Sequence, residues 1–413
     1  MMKLDEGALH KILAEDLPSQ RWFGARAVDA IERVTVLDDR SPALIQVIVR
    51  GDDGDRYQVV IGACDDDTIV DATADADLSL RLLRHVMPGE EVAKVRPLGA
   101  EQSNTSLVYD ERLVLKIFRR LPQGTNPDAE VTCALAAIGF EHVIPPVAEW
   151  RDDDGDYGIV NELLVGASDG WHLALTSLRD LYDRRCPPEE AAGDFGFESE
   201  RLGKVTAELH VEMAAAFGSG PADVDGWIAD MVAQLARVDL PAQVARQARL
   251  AYEALRDVEP GPSFRVHGDY HLGQTLRTDA GWYVLDFEGE PARPVEERRR
   301  PSSPLRDVAG MMRSLHYATQ VALRDFGSAD DAELIALGAA WEEHNAVRFC
   351  SGYEGYGDID RVLPPAEARA VVRRAFELDK ATYEVGYETG HRPDWVGIPL
   401  SAITRLLETE TET

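Results

Sequence analysis

Cysteine is scarce in this chain: four in 413 residues, at Cys64, Cys133, Cys186 and Cys350. None forms a CxxC pair, which excludes a disulfide framework or a structural zinc site and fits free thiols in a reducing compartment. Long apolar runs are also missing, so no stretch has the length to cross a bilayer. The opening MMKLDEGALHKILAEDLP carries acidic residues where a secretory signal needs an apolar core, and a cytoplasmic protein is expected. Basic residues are in short supply, 43 Lys and Arg against 74 Asp and Glu, for a formal charge of −31. That argues against a nucleic-acid or anionic-membrane partner, either of which needs a basic face. A soluble monomer with small-molecule substrates is the expectation. There is no solenoid-type repeat, and the length suits two or three domains with a substantial core.

What the sequence does have is concentrated in Val266 to Pro291, VHGDYHLGQTLRTDAGWYVLDFEGEP. Two short apolar runs, Ser263–Val266 and Trp282–Phe287, flank a polar loop, and Thr278-Asp279-Ala280-Gly281 is a turn signal. Asp269, Gln274 and Asp286 therefore fall near the mouth of a small sheet. Gln274 lies five positions after Asp269 and Asp286 lies seventeen after it. This is the spacing of phosphoryl transfer in the kinase plan: one Asp orients the acceptor hydroxyl, a side-chain amide holds Mg²⁺, and a second Asp bridges metal to phosphate. His267 and His271 are four apart, but Gly268 and the loop context argue against a helical zinc pair. His267 is read as a scaffold and His271 as a shaper of the loop or a sugar contact. Glu288 could add a magnesium contact or be a solvated acid.

HGDYHLGQ resembles the HGDxHxxN motif of aminoglycoside-phosphotransferase-like small-molecule kinases, with Gln274 where Asn is usual. DFEGEP, Asp286 to Pro291, looks like the metal-binding turn that follows. With the Gln variant and Glu297 to Ser314, ERRRPSSPLRDVAGMMRS, the chain resembles the bacterial maltokinases. That resemblance implies an α+β, bilobal, protein-kinase-like fold with an extra N-terminal β-rich cap. It also implies transfer of phosphate from ATP, with Mg²⁺, to maltose, giving maltose 1-phosphate for α-glucan synthesis. A trehalose-isomerising partner of the trehalose synthase type would supply the maltose.

The expected domains are a cap over 1–90, a nucleotide-binding lobe over 91–166 and a mostly helical lobe over 167–413. Within the cap, a helix is expected over Leu4–Asp16, strands over Ala43–Arg50 and Tyr57–Ile61, and a helix over Leu78–His85. Leu107–Tyr109 and Leu113–Phe118 read as a hairpin whose second strand is interrupted by Lys116. A lysine there is costly unless paired, so it calls for a phosphate and a carboxylate. In the kinase plan that lysine grips the α/β-phosphates and pairs with a Glu of the next helix, here Glu130 on Asp128–Ile138. The preceding loop, Gln102, Ser103, Asn104, Thr105 and Ser106, has no glycine, yet its hydroxyl and amide groups can offer donors to phosphate. Gln102, Ser103 and Ser106 are the candidates. Val143–Glu149 and Tyr157–Leu164 read as the last strands of this lobe, leading into an adenine-reading hinge at Glu162.

In the helical part His210 reads as a core histidine. Asp307, opening a helix over Asp307–Tyr317, reads as a brace that accepts loop N–H groups. The long helix Ala366–Tyr387 carries Lys380, Glu384, Tyr387 and Glu388 on one face, with Tyr383 beside it and Trp395 beyond. Lys380, Tyr383, Glu384, Tyr387 and Trp395 could bind a sugar or form a surface ladder ending on a core tryptophan. The alternatives to maltose are glucosamine, another hexose or an aminoglycoside as acceptor, or a catalytically dead pseudokinase that binds without turnover.

Overall fold

The computed structural model describes residues 6–64, 68–99, 103–191, 194–291, 293–327 and 331–408. Contact density divides the chain into one unit of 1–136 with 144–166 and another of 137–143 with 167–413.

The first unit holds two five-stranded antiparallel sheets. In one, Val28–Asp38, Ala43–Gly51, Arg56–Ala63 and Ile69–Asp71 run in chain order, and Arg120–Leu121 joins Arg56–Ala63. Ala43–Gly51 is buried on both faces, which explains why it is apolar apart from Gln46 and Arg50. Ile45, Val47 and Val49 pack with Leu9, Leu13 and Phe23, contributed by the Glu6–Asp16 helix and the turn after it. Leu44 and Ile48 point the other way, into a core shared with Leu107, Leu115, Ile117 and Tyr157. Gln46 also lies on that second face, where it donates to Gln58 at 2.6 Å; Gln58 in turn donates to the carbonyls of Phe118 and Tyr157. One face of Ala43–Gly51 therefore shares an apolar core with the Lys116 sheet, and the other packs on the opening helix.

The second sheet runs Val95–Pro97, Asn104–Tyr109, Leu113–Phe118, Gly155–Glu162, Ala148–Asp152. The strand expected over Val143–Glu149 begins only at Ala148. Pro145 and Pro146 have no N–H to give to a ladder, and residues just ahead of them belong to the second unit, where the His142 carbonyl accepts from Val284 N at 2.8 Å.

The second unit is mostly helical, with two small sheets. One pairs Ser168–Asp169, Thr275–Thr278 and Gly281–Val284; the other pairs Ser219–Pro221 and Pro262–Phe264. Its long helices are Gly196–Phe217, Leu305–Asp325, Ala332–Glu354 and Ala366–His391. The Asp307 helix runs over Leu305–Asp325, starting just ahead of its expected first residue and continuing about two turns beyond Tyr317. No described helix is long and apolar enough to cross a membrane.

Candidate functional site

In the first unit Lys116 faces away from the core side of its strand, whose Leu113, Leu115 and Ile117 are buried. Its Nζ lies 2.7 Å from Asp128 Oδ2, with the lysine side chain 14% and the aspartate 5% exposed. Asp128 sits in the first turn of the Pro127–Ala137 helix, where a carboxylate suits the helix dipole. Its backbone N–H donates to Asn126 Oδ1 at 2.8 Å. The expected partner, Glu130, lies in that same turn; Asp128, two residues earlier, was not singled out in the sequence. Ser106 is opposite Lys116 in the ladder, so the two share a face. Ser103 accepts from Asn104 Nδ2 at 3.4 Å. Gln102 lies outside the described residues. Glu162 ends its strand exposed to solvent, and the N–H of Leu163 donates to the Arg112 carbonyl at 2.7 Å.

In the second unit the loop after Pro262–Phe264 carries the densest chemistry. Asp307, 1% exposed, accepts from His267 N and Gly268 N, both at 2.8 Å, and lies 3.1 Å from His210 Nε2. Burial alone would push its carboxyl up, but the His210 bond, the charges of His210 and His267 and the Gly268 N–H outweigh it and hold it below its ordinary value. His210 Nδ1 bonds Tyr353 OH at 2.7 Å. His267 Nε2 meets the Leu285 carbonyl at 2.9 Å, tying the loop to the strand that leads to Asp286. Leu272 N donates to Ser314 Oγ at 3.1 Å, and Tyr270 OH meets Thr206 Oγ1 at 2.8 Å. Gly310 lets the Leu305–Asp325 helix come close: a Cβ there would fall 2.5 Å from the Tyr270 carbonyl oxygen. Gly268, at φ +83°, makes the bend that sets up Asp269.

Asp269 Oδ1 lies 2.8 Å from Lys380 Nζ, and that ammonium lies 2.7 Å from Glu290 Oε1. Glu290 is 2% exposed; its other oxygen accepts from Arg293 and, at 3.2 Å, from Arg306. Arg293 continues to Asp379 at 2.9 Å. Asp269, Glu290, Arg306, Asp379 and Lys380 line one small cavity with Gly268, Tyr270, Gly310 and Phe376.

Gln274 Nε2 donates to Asp286 Oδ2 at 3.2 Å, so amide and carboxylate share one locality. Asp286 has φ +61°, a sharp bend just after the Gly281–Val284 strand. A Glu288 carboxylate oxygen is within 4.8 Å of one on Asp286. An all-oxygen set of two carboxylates and one amide carbonyl suits a hard cation such as Mg²⁺.

The remaining sugar-face candidates separate on the Ala366–His391 helix. Glu384 is bound by the buried Arg313 at 2.7 Å, which makes it the partner of a core cation. Tyr383 covers the Lys380 ammonium at 4.9 Å and stacks towards Tyr387, which stacks on His391 at 4.5 Å. Trp395 packs against Arg324 and Arg392. His271 accepts from Gly273 N at 3.1 Å, and burial holds its imidazole below the ordinary value. Of these candidates Lys380 is the one that lines the Asp269 cavity. Glu290 and Asp379 also line it; what ties them to the cavity is a partner far away in sequence, Lys380 for Glu290 and Arg293 for Asp379.

The model of the Phosphotransferase enzyme family (APH) matches residues 94–344. The glucosamine kinase of Streptacidiphilus jiangxiensis is 30% identical over 359 residues, 81% of this chain and 78% of that protein. The glucosamine kinase of Mycolicibacterium smegmatis is 29% identical over 337 residues, 77% of this chain and 81% of that protein. A solved glucosamine kinase in complex with glucosamine, ADP and inorganic phosphate covers 96% of this chain and 99% of its own at TM-score 0.69 and 24% identity. A second crystal form gives the same TM-score over 98% and 99%. The fold is theirs, kinase-like and mixed α/β, and the relatives named are glucosamine kinases where the sequence motifs resembled maltokinases. On the family match and the conserved course of the chain over most of its length, this protein belongs to the phosphotransferase enzyme family.

Proposed function

We propose that this chain transfers the γ-phosphoryl group of ATP to a hydroxyl of a sugar, and that the acceptor is an aminosugar, glucosamine. The observation that carries the phosphotransfer reading is the pinned loop. Asp307 fixes the backbone of His267 and Gly268, and the next residue, Asp269, presents its carboxylate to a cavity. The acceptor oxygen bonds to the γ-phosphorus, the bond to the bridging oxygen of ADP breaks, and the hydroxyl proton passes to Asp269. Gln274 and Asp286, with Glu288 adjacent, would hold Mg²⁺, which neutralises charge on the transferring phosphate. Lys116, paired with Asp128, would hold the α/β-phosphates. With a loose transition state, alignment and charge supply most of the acceleration.

Both curated relatives support the aminosugar. Maltose is kept as a second reading on one observation. The three carboxylates Asp269, Glu290 and Asp379 are matched by three cations, Lys380, Arg293 and Arg306, so a neutral acceptor upsets no charge balance there. The test is ATP consumption with Mg²⁺ over glucosamine, maltose, glucose and an aminoglycoside, with NMR of the product to locate the phosphate. Turnover of maltose with glucosamine inert would replace the acceptor. No turnover with any of the sugars would leave a binding module.

A further inference from the structure

We propose that Lys380 and Glu290 are positioning residues that hold the Asp269 carboxylate for transfer, Lys380 directly and Glu290 through it. This rests on the reading that Asp269 addresses the acceptor hydroxyl. Nothing in the motif around Asp269 calls for a lysine 111 residues further on, yet that lysine lies 2.8 Å from Asp269 Oδ1. The contact is not a loose surface pair. Lys380 and Asp269 side chains are each 16% exposed, and Glu290 is 2% exposed. Glu290 is itself held from the far side by Arg293 and Arg306, and Arg293 by Asp379. The ammonium therefore sits between two carboxylates, one fixed and one belonging to the loop.

Three consequences follow from that geometry. Asp269 Oδ1 is engaged, so Oδ2 is the oxygen left to accept the acceptor proton. Rotation of the carboxylate is stopped by a bond to a rigid helix, and misplacement of a reacting group by about 1 Å can cost about a hundredfold in rate. The positive charge beside Asp269 also moderates its repulsion of an incoming phosphate. Burial would push the Lys380 ammonium down, but Asp269 and Glu290 outweigh it and raise it above its ordinary value, so the brace persists at any assay pH near neutrality.

The rival role is a direct acceptor contact by Lys380, and kinetics separate the two. Lys380→Met keeps most of the unbranched stem and removes the charge. It should lower kcat about 10- to 100-fold while KM for ATP and for the sugar stay within about threefold, and Lys380→Arg should recover part of the loss. Glu290→Gln, which keeps shape, should lower kcat in the same direction if Lys380→Met fails to fold. In an Asp269→Asn background, radiolabel transfer should fall no more than about twofold further on adding Lys380→Met, because residues acting as one unit are not additive. A rise in sugar KM with kcat retained, or losses that multiply in the double variant, overturns the proposal. Failure of the wider reading looks different: wild-type protein would transfer no phosphate to any sugar, and Asp269→Asn would change nothing.

Discussion

Lys116 and Lys380 each bring a largely buried ammonium onto a carboxylate, at 2.7 and 2.8 Å. They reach it by different routes. Lys116 meets Asp128, twelve residues on, through one strand and the first turn of the next helix. Lys380 meets Asp269 and Glu290 across 111 and 90 residues, and those contacts exist because the Ala366–His391 helix packs beside the Asp269 loop. The lesson is that the proposed nucleotide-side lysine is built locally, whereas the acceptor side depends on how distant elements pack. Packing changes should therefore damage the second far more than the first.

The largest test of that contrast is Asp269→Asn. Turnover in the ATP-consumption assay should fall about 10²- to 10⁴-fold, the usual worth of a positioned acid–base group, with ATP affinity by titration nearly unchanged. Unaltered turnover would remove Asp269 from the chemistry. Lys116→Met should divide the two sides the other way. Loss of a charged contact to phosphate predicts about a 10- to 100-fold rise in KM for ATP, with sugar KM unmoved. A matching rise in sugar KM would erase the division.

Gly310→Ala tests packing with no change of charge. Its Cβ would press on the Tyr270 carbonyl at 2.5 Å, so the loop or the helix must shift. About 1–3 kcal/mol of stability should be lost in denaturant unfolding, with lower kcat and ATP affinity retained. The smallest effect is expected from Glu342→Gln. Glu342 accepts from His316 at 2.8 Å and from Arg405, which anchors the Gly397–Glu408 helix. Burial would raise the Glu342 carboxyl, but His316 and Arg405 outweigh it and lower it from 4.5 to about 2. Burial also holds His316 below its ordinary value, so Arg405 is the lasting cation. A depressed carboxyl stabilises the fold fully above 4.5 and loses that contribution as pH falls towards about 2. Glu342→Gln should therefore lower Tm at pH 7 and flatten the acid decline of Tm over that window.

Much of the local structure was legible. The hairpin at Leu113–Phe118 and the helix from Ala366 follow period and turn chemistry, which are properties of neighbouring residues. The strand Val28–Asp38 was not, because Asp29, Glu32, Arg33 and Asp38 interrupt it and register shifts in its pairing break the alternation. Among site candidates, Glu384 and Trp395 lie beside Arg313, Arg324 and Arg392, partners that helix periodicity cannot supply.

The sequence by itself determined the chemistry-bearing string from His267 to Asp286, the lysine strand ahead of it and the helical character of the C-terminal part, since each is written in short-range spacing. Tertiary structure alone decided that Asp307 grips the loop from 39 and 40 residues away, that Asp128 meets Lys116, and that Asp269 and Glu290 bracket Lys380. The reason is physical: which of 74 acidic side chains meets which cation depends on the packing of buried faces, and no local rule ranks those pairings before the core has formed.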